Sequence, residues 1–466
     1  MEITRALFVT PPLLQPNTPY PATMHLKGFY DALGKTTFQV DLSIKVVRDI
    51  LLEYGGDEVE ELLEFLGGNA PAEAKLEASA YVENLAREIR EEVDSDFGFA
   101  RYAEHLCAAV HRFSTLERAV KRRGVMDAPL ERHLDAAIAK YRPQEIGVTC
   151  PFPGTLVGAF KIARYVRAKY PSIRLALGGG YVNTELRTTG RDKVLKYFDE
   201  LELDDPTAAA AFVEPSYEGI DWSEYFDIVE TDNPVINLWN SGKWRKLLMA
   251  RGCYWHRCAF CDVQLPYIGK CLLGDPVKIV DAMEKLGGGF PGFHFVDEAM
   301  PPRLIRGVAE EILRRGFACE WWGNVRFDAA FDDELVALMA KAGCIAVTGG
   351  LECANDRLLA LMQKGITLAG ARKVLENFKR HGIFVHAYLM YDFPTETAAE
   401  ERAARKYVKG LERDGLIQSS FWHRFALTVH SPICREPEKF GLEVVRPRTN
   451  FALNEVDYRV AGKRSN

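Results

Sequence analysis

Two stretches of this chain repeat one rhythm: a short apolar run, a stop at Gly, Pro or an acidic residue, then apolar side chains at helical spacing. Ile3–Thr10 stops at Pro11-Pro12. Met24, Leu26, Phe29 and Leu33 cover one face of a helix read over Pro21–Leu33, and Phe38–Val46 alternates as a second strand. Glu145–Cys150, a helix over Leu156–Tyr170 and a strand over Ile173–Leu177 follow, the last entering Gly178-Gly179-Gly180. Leu201–Leu203, ending at Asp204-Asp205, reads as the final strand of this series. Strand–helix–strand at such spacing predicts an α/β domain, a doubly wound, Rossmann-like parallel sheet, over residues 1–205. The Glu-, Ala- and Leu-rich segment at about 47–142 reads as a helical insertion, where His105, Cys107, His111 and His133 are too dispersed to suggest a ligand set.

The rhythm resumes after a proline- and aromatic-rich linker, 206–243. Lys246–Ala250 is an apolar strand. Phe293–Val296 ends at Asp297-Glu298, Cys319–Asn324 ends near Arg326, and Ile345–Val347 runs into Thr348-Gly349-Gly350-Leu351-Glu352. Phe384–Met390 leads into Tyr391-Asp392-Phe393-Pro394-Thr395-Glu396-Thr397, and Ser420–Leu427 closes the series. Six strands with helices between them predict a partial (β/α)6 TIM-like barrel over 244–430, with a tail at 431–466. Polar residues stand where the strands end, as barrel active sites require.

The 466 residues accommodate these two domains, and a formal net charge of −6 gives no electrostatic reason to expect a nucleic-acid partner. The residues before Pro11 are too few for a secretory signal and no apolar run approaches ~18 residues, so the expectation is a cytoplasmic protein without a membrane partner. In that compartment, clustered cysteines among the ten point to metal or redox chemistry rather than disulfides.

That cluster is Cys253-Tyr-Trp-His-Arg-Cys258-Ala-Phe-Cys261, directly after an apolar strand. Three thiolates on one loop can hold three corners of a [4Fe–4S] cluster and leave one iron open. The rival is a structural zinc site completed by His256 or a distant cysteine. No second Cys-x2-Cys is present, and the strand–helix series that follows favours the cluster. In the first domain, ligands belong outside the carboxyl ends of the strands. No G-x-G-x-x-G follows the first strand, which disfavours a nicotinamide dinucleotide.

With Arg251-Gly252-Cys253 through Cys261, Phe295-Val296-Asp297-Glu298, Gly349-Gly350-Leu351-Glu352 and Phe393–Thr397 in place, the chain resembles a radical S-adenosylmethionine (SAM) enzyme with an N-terminal cobalamin-binding domain. The commonest loop of that family has one residue fewer between its first two cysteines. The resemblance implies that Cys253, Cys258 and Cys261 ligate a [4Fe–4S] cluster whose open iron binds SAM. It implies SAM contacts from Phe260, Asp297, Glu298, Arg326, Glu352, Phe393 and Pro394. Cobalamin would lie on Gln15, Asn17, Thr18, Tyr20, Cys150, Thr155, Gly178, Gly179, Gly180 and Tyr181. No Asp-x-His-x-x-Gly is present to supply a histidine to cobalt. The implied activity is methylation of an unactivated carbon of a peptide or small molecule through a 5′-deoxyadenosyl radical. The alternative is a non-methylating cyclisation, rearrangement or epimerisation. An electron donor such as flavodoxin or ferredoxin is the implied partner.

Overall fold

The computed structural model describes residues 4–98, 111–231, 233, 236–238, 244–287 and 292–460. His105 and Cys107 lie outside the described residues. The described parts of 1–207, 215–242 and 448–453 form one compact unit, and those of 208–214, 243–447 and 454–466 form another.

The first unit is built on β1 (Arg5–Thr10), β2 (Thr36–Asp41), β3 (Glu145–Thr149), β4 (Arg174–Gly178) and the two-residue β5 (Glu200–Leu201). They pair in the order β2-β1-β3-β4-β5, every pairing parallel. The order reverses between β1 and β3, so the connections diverge there and a crevice forms at their carboxyl ends. Leu7 and Val9 of β1 and Leu175 and Leu177 of β4 are fully buried, as strands covered on both faces demand.

Two readings of this unit need correction. The strand expected over Phe38–Val46 stops at Asp41, and α1 (Leu42–Gly67) begins at once. The alternation misled because Asp41 is an N-cap: its carboxylate accepts from Ser43 N at 2.9 Å and Ile44 N at 3.3 Å. The final strand is Glu200–Leu201 rather than Leu201–Leu203, with Glu200 opposite Ala176. The tail also returns. Phe451 is fully buried in the first unit, its ring 5.1 Å from Phe113 and 6.3 Å from Phe160.

The second unit carries six parallel strands: β6 (Arg245–Leu247), β7 (Gly292–Phe295), β8 (Glu320–Val325), β9 (Cys344–Glu352), β10 (Phe384–Tyr391) and β11 (Ser419–Arg424). Each lies beside its sequence neighbours, the arrangement of a partial barrel. One face of this sheet, with Phe293, Phe295, Trp321, Val347, Val385 and Leu389, is packed in the core. Between the strands lie α2 (Pro302–Arg315), α3 (Asp333–Lys341), α4 (Asp356–Leu361), α5 (Leu368–Arg380) and α6 (Ala398–Arg413). The last starts on a capping box formed by Thr397 and Glu400.

Asp41 makes the first unit's stability depend on pH. It is buried, accepts a hydrogen bond from the Tyr225 hydroxyl at 2.9 Å, and burial pushes its carboxyl up to about 6. Between the ordinary carboxylate value of ~3.9 and that raised value the folded chain holds a proton the unfolded chain has released, so stability falls as pH rises through this window. We expect Asp41→Asn, which keeps the cap without the charge, to gain up to ~3 kcal/mol on the native residue between about pH 4 and pH 7. Urea denaturation of both proteins across that range measures it; a constant difference would contradict it.

Candidate functional site

The cysteine loop leaves the carboxyl end of β6 and is held from several sides. Cys253 N donates to Ile268 O at 3.0 Å, Ala259 N to Met362 O at 2.8 Å, and Ile433 N to Ala259 O at 3.0 Å. Thr428 Oγ1 donates to Asp262 Oδ1 at 2.5 Å. Cys258 is buried and Cys261 half-buried, and the two thiols share a hydrogen bond. That bond, helped by Lys364 and Arg326, holds Cys258 below the usual thiol range. The zinc reading required His256 or another donor to turn inward. His256 is instead exposed, with Nδ1 3.1 Å from Cys253 O. Among the described residues, no three His, Cys, Asp or Glu side chains are gathered as a single metal ion requires.

Around Cys258 stands a buried charged group that includes one residue missed in the sequence, Lys364. Its Nζ donates to Glu352 Oε1 at 2.6 Å and lies 5.8 Å from the centre of the Phe260 ring. Arg326 places Nη1 3.9 Å from Cys258 Sγ and donates from Nη2 to the Lys364 carbonyl. The Gly349-Gly350-Leu351-Glu352 run now has a steric reason. A Cβ on Gly350 would lie 2.0 Å from Glu352 Oε1 and 2.8 Å from Lys364 Nζ, and one on Gly349 would lie 2.6 Å from the Phe327 ring. The glycines make room for an ion pair and a phenyl ring.

The acidic pair after β7 divides its labour. Asp297 is wholly buried: Oδ2 accepts from Met249 N at 2.9 Å and Oδ1 from Ala250 N at 2.6 Å. Burial raises its carboxyl to about 7. It fixes the backbone that launches the cysteine loop. Glu298 reaches the surface, and partial desolvation raises its carboxyl above the ordinary range. Phe393 and Pro394 are buried, Phe393 meeting Phe425 edge-on at 5.1 Å. The structure therefore brings Cys258, Cys261, Phe260, Arg326 and Glu352 together and turns Asp297 and Phe393 into the protein.

At the strand ends of the first unit, Asn17 and Thr18 are buried, Gln15 is exposed, and Tyr20 meets the Phe152 ring edge-on at 5.7 Å. The Thr18 and Thr149 hydroxyls are buried with no hydrogen-bond partner among the described residues. They stand after β1 and at the end of β3, the two strands flanking the order reversal, and a ligand rich in amide groups would satisfy them. Cys150, Thr155 and Tyr181 face inward, with Cys150 Sγ 3.4 Å from Thr155 Oγ1. Gly179 and Gly180 serve loop packing. A Cβ would lie 2.7 Å from the Cys150 backbone and 2.9 Å from Pro151 O respectively. Gly178, by contrast, leaves 3.4 Å to the nearest atom. Phe152, half exposed, and Thr149 escaped the sequence reading because neither belongs to a recognisable motif.

Residues 247–407 match the Radical SAM superfamily. The second unit is a radical SAM domain. An uncharacterized methyltransferase of Pyrococcus horikoshii is 27% identical over 173 residues, 36% of this chain and 37% of that protein. The anaerobic magnesium-protoporphyrin IX monomethyl ester cyclase of Cereibacter sphaeroides is 28% identical over 249 residues, 50% of this chain and 38% of that protein. The matches thus span well under half of either relative. The solved radical SAM methyltransferase TsrM of Kitasatospora setae, with tryptophan substrate and a SAM analogue, aligns with 97% of this chain and 85% of its own. Its TM-score is 0.58 at 15% identity, a likeness of fold.

The radical SAM domain also presents a sheet face that the sequence reading passed over. Lys246, His294 and Trp322 are register partners on β6, β7 and β8, and the His294 ring stacks on Trp322 with centroids 3.4 Å apart. On β10, His386 contacts Tyr388 at 5.0 Å and Ser419 Oγ at 2.7 Å. Burial lowers Lys246 to about 8 and His386 to about 4. Read as uniformly apolar strands, these segments concealed a second face of neutral imidazoles and aromatic rings.

Asp297 is open to direct test. Its removal strands two buried backbone N–H groups, at ~1–3 kcal/mol each. We expect Asp297→Ala to lose ~2–6 kcal/mol of stability and Asp297→Asn, which retains one acceptor oxygen, to lose less. Chemical denaturation of the two variants would refute the clamp if they proved equal.

Proposed function

We propose that this chain is a cobalamin-dependent radical SAM methyltransferase that methylates an unactivated carbon of a peptide or small molecule. The observation that carries the reading is the buried Cys258 thiol, flanked by Cys261 and Arg326 at the carboxyl end of a radical SAM barrel. The partnerless Thr18 and Thr149 hydroxyls at the first unit's switch point support the cobalamin part. Methyltransferases among the relatives and the fold of TsrM support the reaction class.

In this reading Cys253, Cys258 and Cys261 hold the cluster. Bound SAM and cobalamin supply radical generation and methyl carriage. The chain's own residues bind and orient. Glu298, exposed beside the buried Asp297, would hold the SAM ammonium, since a carboxylate suits that cation. Lys364 and Glu352 fix each other on the Phe260 side of the loop. Gln15, Asn17, Thr18, Thr149, Tyr20 and Phe152 offer hydrogen bonds and ring surface to the corrin edge. A small electron-transfer protein such as flavodoxin or ferredoxin would be the electron donor, in the cytoplasm, where thiols are kept reduced.

The cyclase match, which covers half of this chain, favours a second reading in which the same cofactors close a ring without methyl transfer. An anaerobic assay with methyl-labelled SAM separates the two. Label appearing in the product is expected, and 5′-deoxyadenosine without labelled product would overturn methylation. Cys258→Ala should lower cluster iron and SAM cleavage by more than ~100-fold; full cleavage by that variant would overturn the ligand assignment.

A further inference from the structure

We propose that Arg326 sets the reduction potential of the [4Fe–4S] cluster by donating to the Cys258 sulfur, and that it does not serve as the SAM carboxylate partner. The inference rests on the cluster reading above and extends it to a residue that the family pattern would assign to SAM.

The guanidinium is engaged through both Nη groups and on one face. Arg326 is 3% exposed. Its Nη1 lies 3.9 Å from Cys258 Sγ, within hydrogen-bond reach of sulfur, and its Nη2 donates to the Lys364 carbonyl. Its Nε makes no hydrogen bond among the described residues, and the Asp328 carboxylate stands 3.6 Å away as an ion pair. Its central carbon sits 4.5 Å from the centre of the Trp255 ring. Trp255 is itself fixed, with Nε1 donating to Gln363 O at 2.8 Å and its indole filling the space over Gly365, where a Cβ would lie 2.1 Å away. Tyr254 holds Asp328 from the other side, donating at 2.6 Å. Both Nη groups and the face on Trp255 are thus taken by protein groups, and a carboxylate arriving with SAM would have to displace one of them to pair with either Nη.

A guanidinium in that place has a definite electrostatic consequence. Reduction adds one negative charge to the cluster, and a donor on a ligand sulfur stabilises the more negative state. The planar fork of the guanidinium spans the sulfur and the Lys364 carbonyl together as a lysine cannot. Lys364 stands nearby, but its charge is matched by Glu352 at 2.6 Å. Both cations act on Cys258, each beside a carboxylate, but of the two only Arg326 donates to the sulfur itself.

The test is an anaerobic redox titration of the reconstituted full chain, followed by the electron paramagnetic resonance signal of the reduced cluster. Iron content, circular dichroism and SAM affinity are measured on the same samples. Arg326→Gln should move the reduction equilibrium at least about tenfold toward the oxidised form, ~59 mV lower for a one-electron couple. Arg326→Lys, retaining charge without the fork, should fall between. An unchanged midpoint in Arg326→Gln at full iron content overturns the proposal. Weakened SAM binding with that unchanged midpoint assigns the residue to the SAM carboxylate instead. Should Arg326→Gln fail to hold iron, Arg326→Lys decides by the same criterion. If the unsubstituted chain takes up no four-iron cluster, the cluster reading itself falls, an outcome separate from a failed shift.

Discussion

The second unit depends on one buried carboxylate. Asp297 stands at the end of β7 and takes the backbone amides of Met249 and Ala250, just beyond β6, on its two oxygens. Those amides fall where β6 has left the barrel sheet and the chain turns toward the cysteine loop, Ala250 already pairing with Leu273. Without an acceptor they would be two unpaired donors in the core. With it, the segment that carries Cys253 is registered against the neighbouring strand. The same residue reaches further through its carbonyl, which accepts from Asn324 Nδ2 at 2.8 Å and ties in β8. Three strand ends are thereby fixed relative to the loop before any cofactor contributes.

Much of this architecture was legible in the residues. The alternation of apolar runs and amphipathic segments specified parallel sheets because buried parallel strands must be apolar throughout and must be joined by helices. The boundaries that failed did so where a side chain acted on the backbone. Asp41 ended β2 by capping a helix, although the apolar alternation continued through Leu42, Ile44 and Val46. The return of Phe451 had no local signature, since one phenylalanine in a polar tail gains meaning only from the aromatic pocket it enters.

The candidate site was legible in its motifs and opaque in its neighbourhoods. Cysteine spacing and strand-end acids identify themselves along the chain. Lys364 does not, because it lies past α4 and reaches Glu352 only after the chain has turned back. The glycines before Glu352 announced a tight place without saying what filled it. Asp297 and Glu298 are adjacent and chemically alike, yet one is interior and the other open. Adjacent residues at a strand end point to opposite sides, and sequence alone does not say which side is which.

The returning tail has a consequence for how such a chain can be inherited. The polypeptide leaves the first unit, completes the barrel, and then gives back the ring that closes the first unit's aromatic cluster at Phe113 and Phe160. Neither unit is a contiguous cassette. A recombination event that moved the barrel-coding portion elsewhere would take Phe451 with it and leave a hole behind. A cut at the linker would therefore separate the first unit from a ring of its own core.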